Sequence, residues 1–285
     1  MNTERDYSQI SPSAKALMLF KSHTSIPYAV ETSEALLEKE YRESMPPRDF
    51  GFWASVVHFE NRYYSINSLV QEIRTRNILE LSSGFNFRGL DLIGQNSNLH
   101  YIDTDLPEII KTKIDITSQF GDVYQQSKLE YHTLNALNSV SFENIMNRFD
   151  DGPTTIVNEG LLVYLSTEEK KQLCKIIRTQ LEKHTGWWIT SDIYINHKTD
   201  QVGSDKDGKW SKFFGKMNVN QQMFESFEQA QEFFYNNGFE VQKEYVPNYE
   251  TLSSAKHLVA AATPEQMALL AKAGKVQATW RLVLR

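Results

Sequence analysis

Two aspartates follow a single glycine at a separation that suits the binding of a nucleoside. Gly84 lies in SSGFNFRG, directly after the apolar run NILELSS, and Asp103 and Asp105 end the next apolar run, in YIDTDLPE. Asp105 follows Gly84 by 21 residues. In α/β nucleotide sites, the carboxylate that binds the ribose follows the glycine turn by about 20 residues. Asp103 competes with Asp105 for this role.

Both features also have a purely structural explanation. One glycine after a strand is often a plain turn, and Asp105 can cap the helix that begins at LPE, with Glu108 completing a capping box. The dinucleotide pattern G-x-G-x-x-G is missing from the turn, so a diphosphate would approach its backbone with difficulty. A ligand without phosphates, such as S-adenosylmethionine, makes less demand on the turn.

The segments that must position these residues alternate between strand and helix. Apolar runs of strand length occupy residues 77–83, 99–104, 129–134, 154–160 and 187–194. Between most of them lie helical patterns; in the clearest, STEEKKQLCKIIRTQLEK, Ser166 caps the start and Glu169 completes a capping box. This alternation predicts a mostly parallel sheet covered by helices on both sides.

The carboxyl-terminal part has a different rhythm. FESFEQAQEFFYNNG predicts a helix, FEVQKEYV a strand, and TPEQMALLAKAGK a helix with Thr263 as its cap and Gly274 at its exit. QATWRLVLR closes the sequence as another strand. Two late strands separated by a long excursion favour an antiparallel addition at the sheet edge. Residues 1–70 contain no convincing strand and predict helices over the ligand-binding rim.

Composition narrows the class of protein. The 285 residues include 30 basic and 36 acidic side chains, for a net charge of -6, without a basic stripe for nucleic acid. No run approaches the length of a membrane span, and the charged start MNTERDYSQ does not resemble a signal peptide. The one cysteine, Cys174, fits a reducing compartment and a helix position where it fills the core, with a reactive role as the alternative. We therefore expect a cytoplasmic protein.

Three segments together carry a family resemblance. ILELSSGFNFRGLDL, YIDTDLPEIIKTK and NEGLLVYLSTEEKKQL, in this order and spacing, resemble the leucine carboxyl methyltransferase-like family of class I S-adenosylmethionine-dependent methyltransferases, which includes O-methyltransferases of secondary metabolism. The resemblance extends over residues 58–182. It implies a Rossmann-like, seven-stranded, mostly parallel sheet with helices on both faces and an N-terminal helical lid.

The resemblance also implies a domain plan and a cofactor site. One methyltransferase domain would span residues 1–285, with a helical cap at 1–70, a cofactor-binding core at 71–195, a lid and acceptor-pocket insertion at 196–235, and antiparallel strands at 236–285. In the implied cofactor site, Gly84 lies under the ligand, Glu80 orients the loop, and Asp105 or Asp103 binds the ribose. Asn135, Ala136 and Leu137 contact the adenine. Glu159 and Gly160 lie near the sulfonium and amino end of the cofactor, and Arg62, with Lys15 or Lys21, binds its carboxylate.

The sequence departs from the family at three of these places. Ser82 replaces the usual glycine, Asn86 the usual aspartate before the arginine, and Asn135 the usual acid at the adenine. An asparagine side chain still accepts and donates hydrogen bonds, so we expect these changes to weaken cofactor binding rather than to abolish it.

Methyl transfer from a sulfonium is an in-line displacement, so the protein must chiefly align the acceptor oxygen and exclude water. A carboxylate acceptor needs no base, whereas a hydroxyl acceptor does. The candidates for this base are Tyr164, His197 and Asp192. Each also has a structural explanation: Tyr164 as rim packing, His197 as a solvated loop residue, and Asp192 as a strand-end cap. The aromatic segments 50–53, 62–64 and 209–217 are candidates for the acceptor pocket, the last as a lid. No metal-binding motif is found in the sequence.

Three functions remain open from the sequence. The first is an S-adenosylmethionine-dependent O-methyltransferase acting on a carboxylate or hydroxyl of a small molecule or peptide. The second is a methyltransferase fold that binds the cofactor or a partner without catalysis. A NAD-dependent dehydrogenase is the third, disfavoured by the missing glycines.

Overall fold

The computed structural model of the chain describes residues 11–39, 42, 47–73, 75–120, 128–196 and 222–285. At its centre is a seven-stranded sheet with the strand order β3-β2-β1-β4-β5-β7-β6. The strands are β1 (Asn77–Leu81), β2 (His100–Asp105), β3 (Lys128–Thr133), β4 (Thr154–Asn158), β5 (Gly186–Tyr194), β6 (Phe239–Glu244) and β7 (Gln277–Leu284).

Helices connect and cover these strands. In chain order they are α1 (Ser11–Lys21), α2 (Ala29–Leu36), α3 (Phe50–Gln71), α4 (Arg88–Gln95), α5 (Pro107–Thr117), α6 (Ser139–Met146), α7 (Thr167–His184), α8 (Phe227–Asn236), α9 (Ala255–Ala261) and α10 (Pro264–Ala273). Among the described residues, no helix combines the length and the apolar character needed to span a membrane.

The register of the strands brings several carboxyl ends to one edge of the sheet. β1 pairs in parallel with both β2 and β4, and Leu81 is aligned with Thr104 and Asn158. The chain order reverses between β1 and β4, and ligands of such sheets bind beyond the carboxyl ends at that point. The candidate residues after β1, β2 and β4 therefore share one crevice.

Alternate residues of the central strands pack into two separate hydrophobic cores, one on each face of the sheet. Leu79, Ile156 and Trp188 pack with α6, α7 and α8. Their neighbours Ile78 and Val157 pack on the opposite face with α3 and α4. Both faces of the central strands are buried, as the apolar runs of the sequence predict.

These features confirm the predicted fold class, the Rossmann-like sheet of class I methyltransferases. β1 to β5 are parallel, and β7 lies antiparallel between β5 and β6, as expected for the late strands. The capping box of Ser166 and Glu169 at α7 is present, and Thr263 and Gln266 form another at α10. Asp105 and Glu108 form no capping box, because Asp105 is still in β2 and Leu106 occupies the cap position of α5.

The amino-terminal helices pack over the carboxyl edge of the sheet. The described part of residues 1–70 is helical, as predicted. Met18 of α1 and Tyr63 of α3 pack with Phe85, which follows the Gly84 bend, and with Ile109 of α5. The cap therefore rests directly on the turn in which the sequence predicts a ligand.

Candidate functional site

The bend after β1 and the end of β2 are in direct contact. Gly84 has a φ of 56°, a left-handed conformation that glycine adopts without strain, and its N–H donates to Oδ2 of Asp105 at 2.7 Å. A Cβ built on Gly84 would lie 3.7 Å from Cβ of Ala14, so α1 passes directly over the bend. Ser82 also has a positive φ of 50°. The structure thus brings together Gly84 and Asp105 at the covered rim.

The two aspartates of β2 have different partners. Asp103 is 1% exposed and accepts hydrogen bonds from Nζ of Lys113 at 2.6 Å and Oγ of Ser83 at 2.5 Å, so it is committed to an internal ion pair. Asp105 accepts from two backbone N–H groups, those of Gly84 and Leu106, each at 2.7 Å. Burial raises the pKa of Asp105. Asp105 is 8% exposed and accepts from backbone N–H groups rather than from a lysine, which makes it the stronger ribose candidate.

Glu80 acts on the loop from inside the core. It is fully buried, accepts from Nε of Arg88 at 3.0 Å, and accepts from the hydroxyl of Tyr101 at 2.7 Å. Arg88 is the first residue of α4, and its guanidinium also donates to the Tyr63 carbonyl and the Asn67 side chain. Glu80 therefore orients the end of the loop through Arg88.

Glu159, directly after β4, is surrounded by cations. Its Oε1 accepts from Nζ of Lys21 at 2.6 Å, and its Oε2 accepts from Nη2 of Arg88 at 2.6 Å. Burial alone would raise the pKa of Glu159, but the charges of Lys21, Arg62 and Arg88 outweigh it and lower the pKa to about 2. Lys21 also donates to Oδ1 of Asn86 at 2.7 Å. Of the two predicted lysines, Lys21 reaches the site and Lys15 is exposed.

Arg62 of α3 is buried beside this cluster, interacts with the Tyr194 side chain, and makes only long contacts with the described acidic side chains. Its Nη2 lies 3.8 Å from Oε1 of Glu159 and 3.6 Å from Oδ1 of Asp192, both beyond normal hydrogen-bond length. Its Nε is buried and has no hydrogen-bond partner among the described residues. The guanidinium carbon lies over the rings of Phe59 and Tyr194, at 5.8 and 5.7 Å from their centres. Arg62 therefore has donor capacity left for an anion.

Asp192 of β5 is committed to the turn after β4. Its oxygens accept from the N–H groups of Gly160 at 2.6 Å, Leu161 at 2.7 Å and Leu162 at 3.0 Å. Gly160 has a φ of 84°, and a Cβ there would lie 3.1 Å from Nη2 of Arg62. Asp192 thus holds the segment that carries Glu159 and is occupied as an acceptor, in agreement with its structural alternative.

The segment after β3 borders the same rim. The Leu134 N–H donates to the Asp105 carbonyl at 2.9 Å, and Oδ1 of Asn135 accepts from the Leu137 N–H at 3.0 Å. Ala136 is buried, and Leu137 packs partly buried on the core. The residues predicted at the adenine therefore follow directly from the strand end that adjoins Asp105.

The predicted proton acceptors divide into three cases. Tyr164 is buried in the short 3₁₀ turn Leu162–Tyr164. His197 lies outside the described residues, as does the segment 209–217 expected to form a lid. The third, Asp192, is saturated with donors, as described above. Part of the insertion expected at 196–235 is α8, whose Phe234 packs against Trp188 in the core.

A hydrogen-bonded pair at this edge was missed by the sequence reasoning. Nε2 of His58 lies 2.7 Å from the hydroxyl of Tyr194, the last residue of β5. The one sequence signal is helical spacing, since His58 precedes Arg62 by one turn of α3. Burial and then the Arg62 charge lower the pKa of His58 to about 3.

Comparisons with known proteins show the fold and no family. No protein-family model and no curated protein matches the chain. A DUF574 family protein from Streptomyces avermitilis superposes with a TM-score of 0.59 at 12% identity, over 97% of this chain and 100% of that one. TnmH superposes with a TM-score of 0.50 at 7% sequence identity, over 82% of this chain and 57% of that one. LepI in complex with SAH and a substrate analogue superposes with a TM-score of 0.46 at 11% sequence identity, over 78% of this chain and 46% of that one. The chain spans about half the length of LepI and TnmH.

Proposed function

We propose that the protein is an S-adenosylmethionine-dependent methyltransferase that transfers a methyl group to an oxygen atom of a small molecule or peptide. The observation that carries this proposal is the buried Arg62 guanidinium, whose Nε has no partner among the described residues. An unmade hydrogen bond of a buried charged group is costly, and a carboxylate is its best-matched acceptor. The amino-acid end of the cofactor has such a carboxylate.

The other residues at the rim suit the remaining parts of the same cofactor. Asp105 would accept from the ribose hydroxyls, and the segment 135–137 would flank the adenine. Glu159 would accept from the amino group, and Lys21 would assist Arg62. The bend at Gly84 has no side chain to obstruct the ligand backbone. Asp103 is the weaker ribose candidate because it is 1% exposed and its charge is paired with Lys113, whereas Asp105 is 8% exposed and accepts from backbone N–H groups.

In this assignment the bound cofactor supplies a methyl group on a positively charged sulfur. The chain's own residues align the acceptor oxygen with that group and keep water out, which is the largest contribution a protein makes to such a displacement. The rings of Phe59 and Tyr194 beside Arg62 would contribute apolar walls and electron-rich faces toward positive charge. The family resemblance of residues 58–182 supports the same reaction.

Calorimetry with S-adenosylhomocysteine, 5′-methylthioadenosine and NAD tests the proposal. Methylthioadenosine keeps the nucleoside but lacks the carboxylate. We expect wild-type protein to bind both adenosyl compounds and not NAD. Arg62→Gln should weaken the binding of S-adenosylhomocysteine by about 10-fold to 100-fold, which is the contribution of a charged hydrogen bond. The affinity for methylthioadenosine should stay within about threefold of the wild-type value. The matched control is Arg148→Gln, at a half-exposed arginine paired with Glu130.

Two outcomes would contradict the cofactor assignment: no binding of either adenosyl compound at millimolar concentration, or equal losses for both compounds in Arg62→Gln. NAD binding would instead support the dehydrogenase. Turnover on a panel of carboxylic acids and phenols, followed by the homocysteine that is released after hydrolysis of the product, separates an enzyme from a binding protein with the same fold.

A further inference from the structure

The pair formed by His58 and Tyr194 lies beside Arg62, the residue proposed to bind the cofactor carboxylate. His58 is one helical turn from Arg62 on α3, and Tyr194 ends β5, two residues after Asp192. The Arg62 guanidinium carbon is 5.7 Å from the centre of the Tyr194 ring. Both His58 and Tyr194 are partly exposed, in contrast to the buried charges behind them. The pair is therefore less buried than Arg62, Glu159 and Asp192 behind it.

The surroundings of His58 keep it neutral. The charged groups that act on it are Arg62 of its own helix and Glu159 after β4, and the effects of burial and of Arg62 dominate. A neutral imidazole has one nitrogen without a proton, which can accept the hydrogen of the Tyr194 hydroxyl. A phenol that donates to a histidine can in turn accept a proton from another hydroxyl. The geometry is that of a two-step proton relay.

We propose that Tyr194 and His58 take the proton from the methyl acceptor, and that the acceptor is therefore a phenol or alcohol rather than a carboxylate. This inference rests on the proposed methyltransferase function. The acceptor oxygen forms its bond to the methyl carbon as the carbon-sulfur bond breaks, and the electron pair of that bond stays on sulfur. The acceptor proton passes to the Tyr194 oxygen, the Tyr194 proton passes to Nε2 of His58, and the imidazolium returns a proton to water.

The same geometry couples the relay to cofactor binding. A carboxylate that pairs with Arg62 neutralises the cation nearest to His58, and this raises the basicity of the imidazole. We therefore expect the pKa of His58 to be higher in the complex than in the free protein. The free protein keeps His58 a weak base.

Nitrogen NMR of the labelled histidines tests the relay without any acceptor. In the complex with S-adenosylhomocysteine, we expect neutral His58 with Nε2 unprotonated and a pKa higher than in the free protein. Tyr194→Phe should shift the Nε2 resonance, whereas Tyr235→Phe, at an exposed tyrosine, should not. A proton on Nε2 in the neutral complex, or a pKa that the ligand does not raise, would overturn the proposal.

Turnover separates the relay from structural support. His58→Asn and Tyr194→Phe should bind S-adenosylhomocysteine within about threefold of wild type and methylate phenols with a kcat about 100-fold to 10,000-fold lower. KM should change little, and the pH dependence of kcat should flatten. His184→Asn is the control at the far end of α7. The proposal would be overturned if both variants methylated phenols at the wild-type rate. It would also be overturned if the wild-type protein methylated only carboxylic acids, or neither phenols nor carboxylic acids. Failure of wild-type protein to bind S-adenosylhomocysteine would instead reject the methyltransferase function.

Discussion

Lys21 and Glu159 are 138 residues apart in sequence, and their charged atoms are 2.6 Å apart in the fold. The contact ties the end of α1 to the turn after β4, and both side chains are almost fully buried. Arg88 binds the other oxygen of Glu159 at 2.6 Å, and Arg62 stands 3.8 Å away. Glu159 thus lies beside cations from three helices, and Arg88 is also paired with Glu80. Burial lowers the pKa of Lys21 to about 8; Glu159 opposes this shift, and the charges of Arg62 and Arg88 add to it.

Glu159→Gln should destabilise the protein by about 3 to 5 kcal/mol at neutral pH, because it leaves buried cations uncompensated. The folded pKa of Glu159, about 2, is below its ordinary value of 4.5. Its contribution to stability is therefore complete above pH 4.5 and is lost as the pH falls toward 2. Urea unfolding across this pH range should show a steep loss in the wild type that is reduced in the variant.

Glu168→Gln is the matched control, since the Glu168 side chain is 80% exposed and pairs with Lys171 on the surface of α7. We expect a change below about 0.5 kcal/mol and an unchanged pH dependence. Parallel stability curves for wild type and Glu159→Gln would show that Glu159 does not hold the cap to the sheet.

Gly84→Ala and Gly186→Ala should differ sharply although both glycines have positive φ. A Cβ on Gly84 would meet only Cβ of Ala14 at an ordinary 3.7 Å, so the cost is backbone strain of about 1 to 2 kcal/mol. A Cβ on Gly186 would lie 2.0 Å from the backbone oxygen of Thr154 in β4. We expect that variant to lose more than about 4 kcal/mol or to fail to fold. Thermal unfolding measures both, and equal losses would contradict the geometry.

Much of the sheet could be predicted because its signals are local. Apolar runs with turn residues gave the strands, and Ser166 with Glu169 gave the start of α7. One strand end differs from the prediction: the segment 77–83 includes two serines, but the strand ends at Leu81 and Ser82 already adopts a left-handed φ in the bend. The late antiparallel strands followed from the change of rhythm after residue 222.

The partners of the charged residues could not be predicted because they depend on the packing of distant elements. Asp103 and Asp105 have the same side chain two residues apart, and only the position of Lys113 on α5 commits Asp103 to an internal pair. His58 and Tyr194 are separated by 136 residues. No local pattern connects them, whereas Arg62 was named because the family resemblance supplied its role.

Cys174 should be unreactive in the folded protein. Burial in α7 raises the pKa of its thiol to about 12, so the nucleophilic thiolate is absent at ordinary pH. A disulfide reagent such as DTNB should label Cys174 only as urea unfolds the protein, and the labelling curve should coincide with the loss of circular dichroism. Rapid labelling without denaturant would favour the reactive role that the sequence left open.

Glu60→Gln should loosen the attachment of residues 253–261 to α3 without unfolding the sheet. Glu60 of α3 is fully buried and accepts from the N–H groups of Ser253 at 3.0 Å and Ser254 at 2.9 Å, from both their hydroxyls, and from Oγ of Ser25 at 3.3 Å. A glutamine presents an NH₂ group to some of these donors, so we expect a local loss of about 1.5 to 3 kcal/mol. Hydrogen exchange should accelerate in residues 253–261 while β1 and β4 keep their protection. The exposed Glu250→Gln should change neither, and unchanged exchange at 253–261 in Glu60→Gln would mean that α9 is held by its apolar contacts to α3 alone.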